Sequence, residues 1–223
     1  MVADPNRNRD RLPRIIYNGD HMTRRQFHLM YCDMPDGYRA ELIGGVVFEP
    51  SPVSSVHSEF HLDLGYILRR YSRYTPGVRG GDNGTVILSD EDEVQPDLYL
   101  RFESGGNSKK DKGKFIVGAP ELVAEVAYSN CAIDLHLKKQ RYAMHGAIEY
   151  LVVCLNPEKL YWFNLKASTM IKADSKGIIR SQVFPGLWIH EKAFFNQDDD
   201  LQEAVLERGL NSLAHRKLLE QLS

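Results

Sequence analysis

The sequence predicts one mixed α/β domain, in which a mixed central sheet is flanked by helices, with a hairpin before it and helices after it. Short apolar runs rich in strand-forming residues alternate with longer segments whose apolar residues recur at helical spacing. The chain has 223 residues, of which 43% are hydrophobic and 26% charged, as expected for one domain with a sizeable core. No internal repeat and no linker divides it.

The globular domain is predicted to cover residues 15–195. Residues 1–14 are polar, lack the apolar segment of a secretory signal and are expected to form a loose tail. Residues 196–223 carry leucines spaced by three to five and are predicted to form a C-terminal helical extension, which packs back on the sheet or pairs with a second copy. No apolar run approaches the ~20 residues that span a membrane.

The first third of the chain predicts a helix, a hairpin and a second helix. Thr23 is a suitable N-cap for a short helix that ends near residue 31. The stretch RAELIGGVVFEP predicts a hairpin, because Gly44 and Gly45 suit the positive φ angles of a type I′ turn. A loop at 51–55 leads into a helix over 57–74, where apolar residues recur every three or four positions.

The remainder of the chain predicts mostly strands. A helix is expected over 133–145 and is ended by Gly146, and another over 199–223 is expected to break or end at Gly209. The segment ESGGNSKKDKGK is polar and is predicted to be a mobile loop. Strands are predicted at 85–89, 94–102, 121–128, 149–155, 160–165, 178–182 and 187–189.

The charge and the cysteines narrow the function classes. A net charge of -2 is not that of a strongly basic nucleic-acid-binding domain, although basic residues gather at 69–79, 109–114 and 138–141. Each run alone is interpreted as a solvated face. Three cysteines without a CxxC spacing argue against a disulfide framework or a zinc knuckle and favour a reducing cytoplasm. No glycine-rich nucleotide-binding motif is present.

Two carboxylates and one lysine form the pattern that predicts chemistry. Asp97 follows Pro96 at the start of a strand, Glu125 lies within the apolar run LVAEVAY, and Lys138 lies in the helix beyond. A buried Glu125 without a partner would be costly. Carboxylates on neighbouring strands can share Mg²⁺, which keeps water and substrate phosphate as further ligands, and a lysine can stabilise transition-state charge or help to deprotonate the attacking water. This set is the minimum for metal-dependent phosphodiester hydrolysis.

Several stretches, taken in order, resemble the PD-(D/E)XK restriction-endonuclease-like superfamily and, within it, the Uma-type restriction endonuclease family. Together they extend from about residue 20 to about residue 195. The matching stretches are ELIGGVV with Glu41, SPVSSVH ending in His57, Gln95-Pro96-Asp97, GAPELVAEV with Glu125, Asp134-x3-Lys138-x3-Tyr142, Gly146-x2-Glu149-Tyr150 and FPGL at 184–187. The resemblance implies a restriction-endonuclease-like core and a Mg²⁺-dependent endodeoxyribonuclease, with Mn²⁺ as a substitute, that acts on DNA as a homodimer.

The same resemblance implies roles for five residues. Asp97 and Glu125 hold the metal, Lys138 assists catalysis, Glu41 is an optional fourth catalytic member and His57 contacts the substrate. The superfamily's usual lysine position, two residues after the glutamate, holds Ala127, and Uma-type proteins take the lysine from the following helix. The adjacent lysine, one residue after Lys138, is turned by about 100° of helix and cannot face the site equally well.

Some alternatives stay open at this point. Asp134, four residues before Lys138, could orient that lysine or form a plain helix-stabilising pair. His57 and His61 share a helix face at metal-binding spacing but lack a third ligand in the sequence, and Tyr142 and Tyr150 are interpreted as core or supporting residues. Two other functions are retained as hypotheses: a catalytically idle nucleic-acid-binding or regulatory protein, and a hydrolase of RNA or another phosphoester.

Overall fold

A computed structural model describes residues 15–50, 53–112, 114–128 and 131–222 of the chain. The strands are β1 (Glu41–Ile43), β2 (Val46–Phe48), β3 (Val78–Asp82), β4 (Val86–Ile87), β5 (Glu93–Val94), β6 (Leu98–Phe102), β7 (Lys109–Asp111), β8 (Phe115–Val117), β9 (Leu122–Ala127), β10 (Glu149–Leu155), β11 (Glu158–Asn164), β12 (Thr169–Ile171), β13 (Ile178–Arg180) and β14 (Trp188–His190). The helices are α1 (Arg24–Tyr31), α2 (Ser55–Arg73), α3 (Lys139–Met144), α4 (Glu191–Phe195), α5 (Asp199–Leu210) and α6 (Leu213–Leu222).

The central sheet has the strand order β12-β11-β10-β9-β6-β3. Strands β9 and β10 run parallel, and the other neighbours pair antiparallel. Every residue of β9 and β10 is buried, because α2 and the C-terminal helices cover one face of the sheet while α3 and a second sheet cover the other. Coverage on both faces explains why these strands are almost continuously apolar in sequence.

The second sheet has the order β2-β1-β5-β4-β8-β7. Its β1–β2 hairpin turns through Gly44 and Gly45, whose φ angles are +60° and +78°, so the predicted type I′ geometry is confirmed. Strand β7 lies within the segment predicted to be a loop, and that part of the prediction is wrong. All three residues of β7 are exposed on the sheet edge, so no apolar alternation marked them as a strand.

The helices mostly lie where the apolar spacing predicts them. Thr23 caps α1 and forms a capping box with Gln26, as expected, and α2 begins at Ser55 behind its N-cap Ser54. The predicted helix over 133–145 is a π-helical segment, Ile133–Lys138, followed directly by α3. Residues 1–14 and two loop residues, 51 and 52, lie outside the described parts of the chain. No described helix is both long and apolar enough to cross a membrane.

The C-terminal helices pack back on the central sheet. Leu206 of α5 joins the core that α2 forms against β9, and His215 of α6 hydrogen bonds with Thr75 at the end of α2 (Nε2 to Oγ1, 2.9 Å). The predicted break near Gly209 lies just after it, between Leu210 of α5 and Leu213 of α6; Gly209 itself lies inside α5, where a Cβ would overlap the carbonyl oxygen of Gly186. The short helix α4 was not predicted. The domain boundary at residue 195 stays a prediction.

Cys131 and Cys154 form one disulfide, although the number and spacing of the cysteines argue against a disulfide framework. Cys131 follows β9, Cys154 lies on the neighbouring β10, and their Cα atoms are 6.3 Å apart. This separation is within the usual range for a disulfide. The two cysteines meet because β9 and β10 are parallel neighbours, and sequence spacing carries no sign of that.

Candidate active site

Glu125 lies in the middle of β9 and points towards α3 and the second sheet. Alternate residues of β9 pack against α2 on the opposite face, so the strand's period of two sets this direction. The residue is only 3% exposed. Its Oε1 accepts hydrogen bonds from Lys138 Nζ (3.1 Å) and Tyr142 Oη (3.3 Å), and its Oε2 accepts one from the backbone N–H of Asp97 (3.3 Å). The buried carboxylate is therefore well supplied with donors.

Pro96 explains why backbone N–H groups before β6 are available to donate to the carboxylates of this site. Proline has no N–H to donate to a strand ladder, and Pro96 lies where the chain passes from β5 in the second sheet to β6 in the central sheet. The N–H groups on either side turn to carboxylates instead: Gln95 donates to Glu41 Oε1 (2.7 Å), and Asp97 donates to Glu125 Oε2. Asp97 Oδ2 in turn accepts from the backbone N–H of Val126 (2.7 Å). Two carboxylates on adjacent strands are thus held side by side.

Lys138 reaches the carboxylates from the π-helical segment. Its Nζ lies 2.8 Å from Glu41 Oε2, 3.1 Å from Glu125 Oε1 and 3.8 Å from Asp134 Oδ1, and the residue is only 8% exposed. Lys139 points elsewhere, with its Nζ 4.4 Å from the centre of the Phe163 ring. Burial alone would lower the pKa of Lys138, but the surrounding carboxylates, Glu125 first, raise it well above its usual range.

The cluster carries more negative than positive charge. Burial raises the pKa of Glu125 well above its ordinary value, and the carboxylates of Asp97, Asp134 and Glu41 raise it further against the opposing effect of Lys138. The pKa of Asp134 is also raised, first by burial and then by Glu41 and Asp97. Four carboxylates surround one ammonium, so the negative charges outnumber the positive one. A cation bound here would relieve this repulsion.

The donor set fits Mg²⁺. Asp97 and Glu125 offer hard carboxylate oxygens from neighbouring strands, as this ion prefers. Among the residues that the structure describes, no group of three or more His, Cys, Asp or Glu side chains is arranged to hold a metal. A metal at this place would therefore take two protein carboxylates and complete its shell with water and substrate oxygens, which is how Mg²⁺ is commonly bound.

Two tyrosines and two histidines surround the carboxylates. Tyr142 hydrogen bonds to Glu125 and packs on the ring of Tyr150 (centroids 5.3 Å apart), a contact that its position four residues after Lys138 does not reveal. His57 Nε2 lies 2.7 Å from the carbonyl oxygen of Val126 and 3.8 Å from Asp97 Oδ2, at the edge of the cluster. His61 contacts the Asp97 carbonyl oxygen (3.3 Å) and was not singled out for this place.

The structure therefore brings four of the predicted residues into one cluster. Asp97, Glu125, Lys138 and Glu41 meet between the central sheet and the second sheet, and His57 lies beside Asp97 without touching the other three. Asp134 joins the cluster through Lys138. Their catalytic roles stay predictions.

The mixed sheet, the hairpin carrying Glu41 and the paired strand carboxylates are those of a restriction-endonuclease-like nuclease fold. A model of the Uma2 family, described as "putative restriction endonuclease", matches residues 24–192, and the chain belongs to this family. A crystal structure of a "putative nuclease" of the DUF820 group from Anabaena variabilis matches with a TM-score of 0.62 and 14% identity, over 75% of this chain and 96% of that one. A comparison with curated proteins found no match. The predicted family and fold are confirmed, and membership of this family supports a nuclease function.

Proposed function

We propose that the protein is a Mg²⁺-dependent endodeoxyribonuclease that hydrolyses phosphodiester bonds of DNA, with Asp97 and Glu125 as metal ligands and Mn²⁺ as a working substitute. The observation that supports it most is that the two carboxylates each accept a backbone N–H from the other's strand segment, Glu125 from Asp97 and Asp97 from Val126, beside a buried lysine. Mg²⁺ bound there would polarise a phosphoryl oxygen and acidify a bound water. The lysine in contact is Lys138, as the family resemblance implies.

The lysine serves as a fixed positive charge in this proposal. The raised pKa of Lys138 keeps it an ammonium at neutral pH, so it does not take a proton from the attacking water. An ammonium held in a buried site stabilises negative charge that develops on the phosphate. Glu41 and Asp134 hold the lysine in place by direct contact. Glu41 therefore acts by positioning, and its predicted catalytic part is indirect.

Tyr142 and His57 are assigned supporting parts. The Tyr142 hydroxyl donates to Glu125 Oε1, the oxygen that also faces Lys138, and so orients the carboxylate. His57 Nε2 must carry a proton, because the Val126 carbonyl oxygen beside it can only accept. Its partly exposed ring lies next to Asp97, a suitable place to contact the substrate. The proposed homodimer and cytoplasmic location stay predictions, and the Cys131–Cys154 disulfide is unusual for a reducing compartment.

Metal titration followed by DNA cleavage tests this function. Calorimetry with Mg²⁺ and Mn²⁺ should show binding to the wild type and to Glu158→Gln, a control at an exposed position of β11, but not to Glu125→Gln or Asp97→Asn. Circular and linear DNA should then be cut by the wild type and by Glu158→Gln. In Glu125→Gln and Asp97→Asn the cleavage rate should fall on the order of a thousandfold. Cleavage of RNA in preference to DNA would move the proposal to another phosphoester. Metal binding without cleavage of any nucleic acid would favour the catalytically idle alternative.

A further inference from the structure

A groove of about 720 Å³ lies beside the candidate active site, between one face of α2 and the edge strand β3. The α2 wall is formed by residues that recur every three or four positions, so they share one helix face. This helix face carries His61, Leu62, Gly65, Tyr66 and Arg69. The groove floor is formed by β3 and by the first two residues of β6.

One end of the groove lies beside Asp97, one of the two proposed metal ligands. His61 lines this end, and its Nε2 lies 3.3 Å from the carbonyl oxygen of Asp97 and 3.3 Å from the carboxylate of Asp82. Leu98 and Tyr99, which directly follow Asp97 in β6, continue along the floor. A strand of nucleic acid whose phosphodiester lay at Asp97 could therefore run on into the groove.

The groove is mainly apolar. Gly81 has no side chain, and a Cβ there would overlap the ring of Tyr99, so this ring lies directly against the β3 backbone. Leu62 is 74% exposed and Tyr66 is 55% exposed, although both are large and apolar. The Tyr66 hydroxyl donates to Glu203 (3.1 Å), which holds the ring in place while leaving it open to solvent.

Positive charge lies one helical turn further along the same face. Arg69 and Arg73 are exposed and form no ion pair with any residue in the described parts of the chain, whereas Arg70, between them, is paired with Glu203. Eight residues of helix separate His61 from Arg69, a rise of about 12 Å. The wall thus presents an apolar and aromatic section next to the catalytic end, followed by two exposed guanidinium groups.

We propose that this groove binds an unpaired nucleic-acid strand next to the bond that is cleaved, with a base against Tyr66 and Leu62 and phosphates at Arg69 and Arg73. This assignment rests on the proposed nuclease function. Grooves that bind single strands combine an aromatic stacking surface with positive charge along the backbone. A duplex keeps its base faces inside the stack and presents phosphate and sugar, to which an apolar wall offers nothing. The groove therefore fits single-stranded or frayed DNA.

Binding without cleavage tests the groove separately from catalysis. Fluorescence anisotropy in EDTA would measure a labelled oligothymidylate with the full chain, at low salt, for the wild type, Tyr66→Ala, Arg69→Ala and Gly65→Met. Each variant should bind about tenfold more weakly. Gly65→Met fills the groove from a helical position whose Cβ would lie 3.6 Å from Leu98, an ordinary contact, and methionine is the better helix former. Loss of binding in this variant is then not a consequence of unfolding.

Matched controls separate stacking from other effects. Tyr66→Phe keeps the ring and loses only the hydroxyl, and Arg25→Ala removes an exposed arginine of α1, the helix that packs on the second sheet; both should bind as the wild type does. Unchanged binding in Tyr66→Ala and Arg69→Ala, tighter binding of the duplex than of the single strand, or no binding at all would each overturn the groove assignment. DNA cleavage together with unchanged groove variants would overturn only the groove. Groove-dependent binding without cleavage in Mg²⁺ or Mn²⁺ would instead overturn the nuclease.

Discussion

Glu125 and Glu149 are both buried glutamates of the central sheet, on the parallel neighbours β9 and β10, but their partners differ. Glu149 accepts hydrogen bonds from four uncharged donors. Its Oε2 contacts Trp162 Nε1 (2.9 Å) and Ser181 Oγ (2.8 Å), and its Oε1 accepts from the backbone N–H groups of Gln182 (2.6 Å) and Val183 (2.9 Å). Glu125 instead contacts one buried ammonium and lies among three further carboxylates.

The difference shows that burial alone does not mark a functional acid. Glu149 joins β10 to β11 and to the chain after β13, and each of its neutral partners is satisfied by it, so it acts as a structural tie. The Glu125 cluster leaves like charges close together, an arrangement that costs stability and is typical of sites built for a ligand. The partners of a buried carboxylate, rather than its exposure, separate the two cases.

The largest expected effect comes from removing the ammonium. Lys138→Met should destabilise the metal-free protein by about 3–5 kcal/mol at neutral pH, because buried carboxylates lose their counter-charge. Urea unfolding followed by circular dichroism would measure this. The matched control is Lys139→Met, which loses only a cation–π contact worth about 0.5–1 kcal/mol. Equal losses in the two variants would mean that the cluster does not depend on Lys138.

Replacing Glu149 should cost less unfolding free energy than replacing Lys138. In Glu149→Gln an amide replaces the carboxylate, and its NH₂ group must face either backbone N–H donors or Trp162 and Ser181, leaving donors unpaired. We expect a loss of about 1–3 kcal/mol of unfolding free energy with metal binding intact. Glu158→Gln, exposed on β11, should stay within about 0.5 kcal/mol of the wild type. Loss of metal affinity in Glu149→Gln would contradict the distinction between the two glutamates.

The sequence alone separates these two residues only in part. The strand 149–155 and the hairpin around Gly44 are predicted correctly because period, turn residues and apolar runs are local signals. The partners of Glu149 come from β11 and from the chain after β13, and nothing local ties them to it. For the same reason the disulfide partners and the polar edge strand β7 escape prediction.

The site is easier to predict than its surroundings. Residue type, order and family resemblance predict Asp97, Glu125 and Lys138, and the structure brings these three together. The choice of Lys138 over Lys139 assumed an α-helical turn of about 100° per residue. The segment is π-helical up to Lys138, yet the two lysines still diverge, because Lys139 turns to the Phe163 ring. Contacts such as Tyr142 to Glu125 depend on packing that the sequence does not encode locally.

The pH dependence of stability should distinguish the glutamates through their response to metal. Both have a raised pKa in the folded protein, from burial first, so each binds a proton more tightly when folded than when unfolded. Their contribution therefore weakens as pH rises from the unfolded value of 4.5 through the raised folded pKa, by at most about 1.4 kcal/mol per pH unit for each group. Saturating Mg²⁺ should remove the Glu125 part of this slope and leave the Glu149 part. Unfolding curves from pH 5 to 7 for the wild type, Glu125→Gln and Glu149→Gln, with and without Mg²⁺, would measure it, and a slope unaffected by Mg²⁺ in the wild type would contradict it.

The smallest expected effect tests whether Glu149 depends on any single donor. Trp162→Phe removes the indole N–H and keeps most of the buried ring, so Glu149 retains Ser181 and two backbone donors. We expect a loss of about 1 kcal/mol, the net value of one hydrogen bond, with an unchanged urea m-value. Circular dichroism is the suitable probe, because the substitution removes one of the two tryptophans. A loss as large as that of Lys138→Met would show that Glu149 rests on one partner, as the charged cluster rests on its lysine, and the contrast between the two sites would fail.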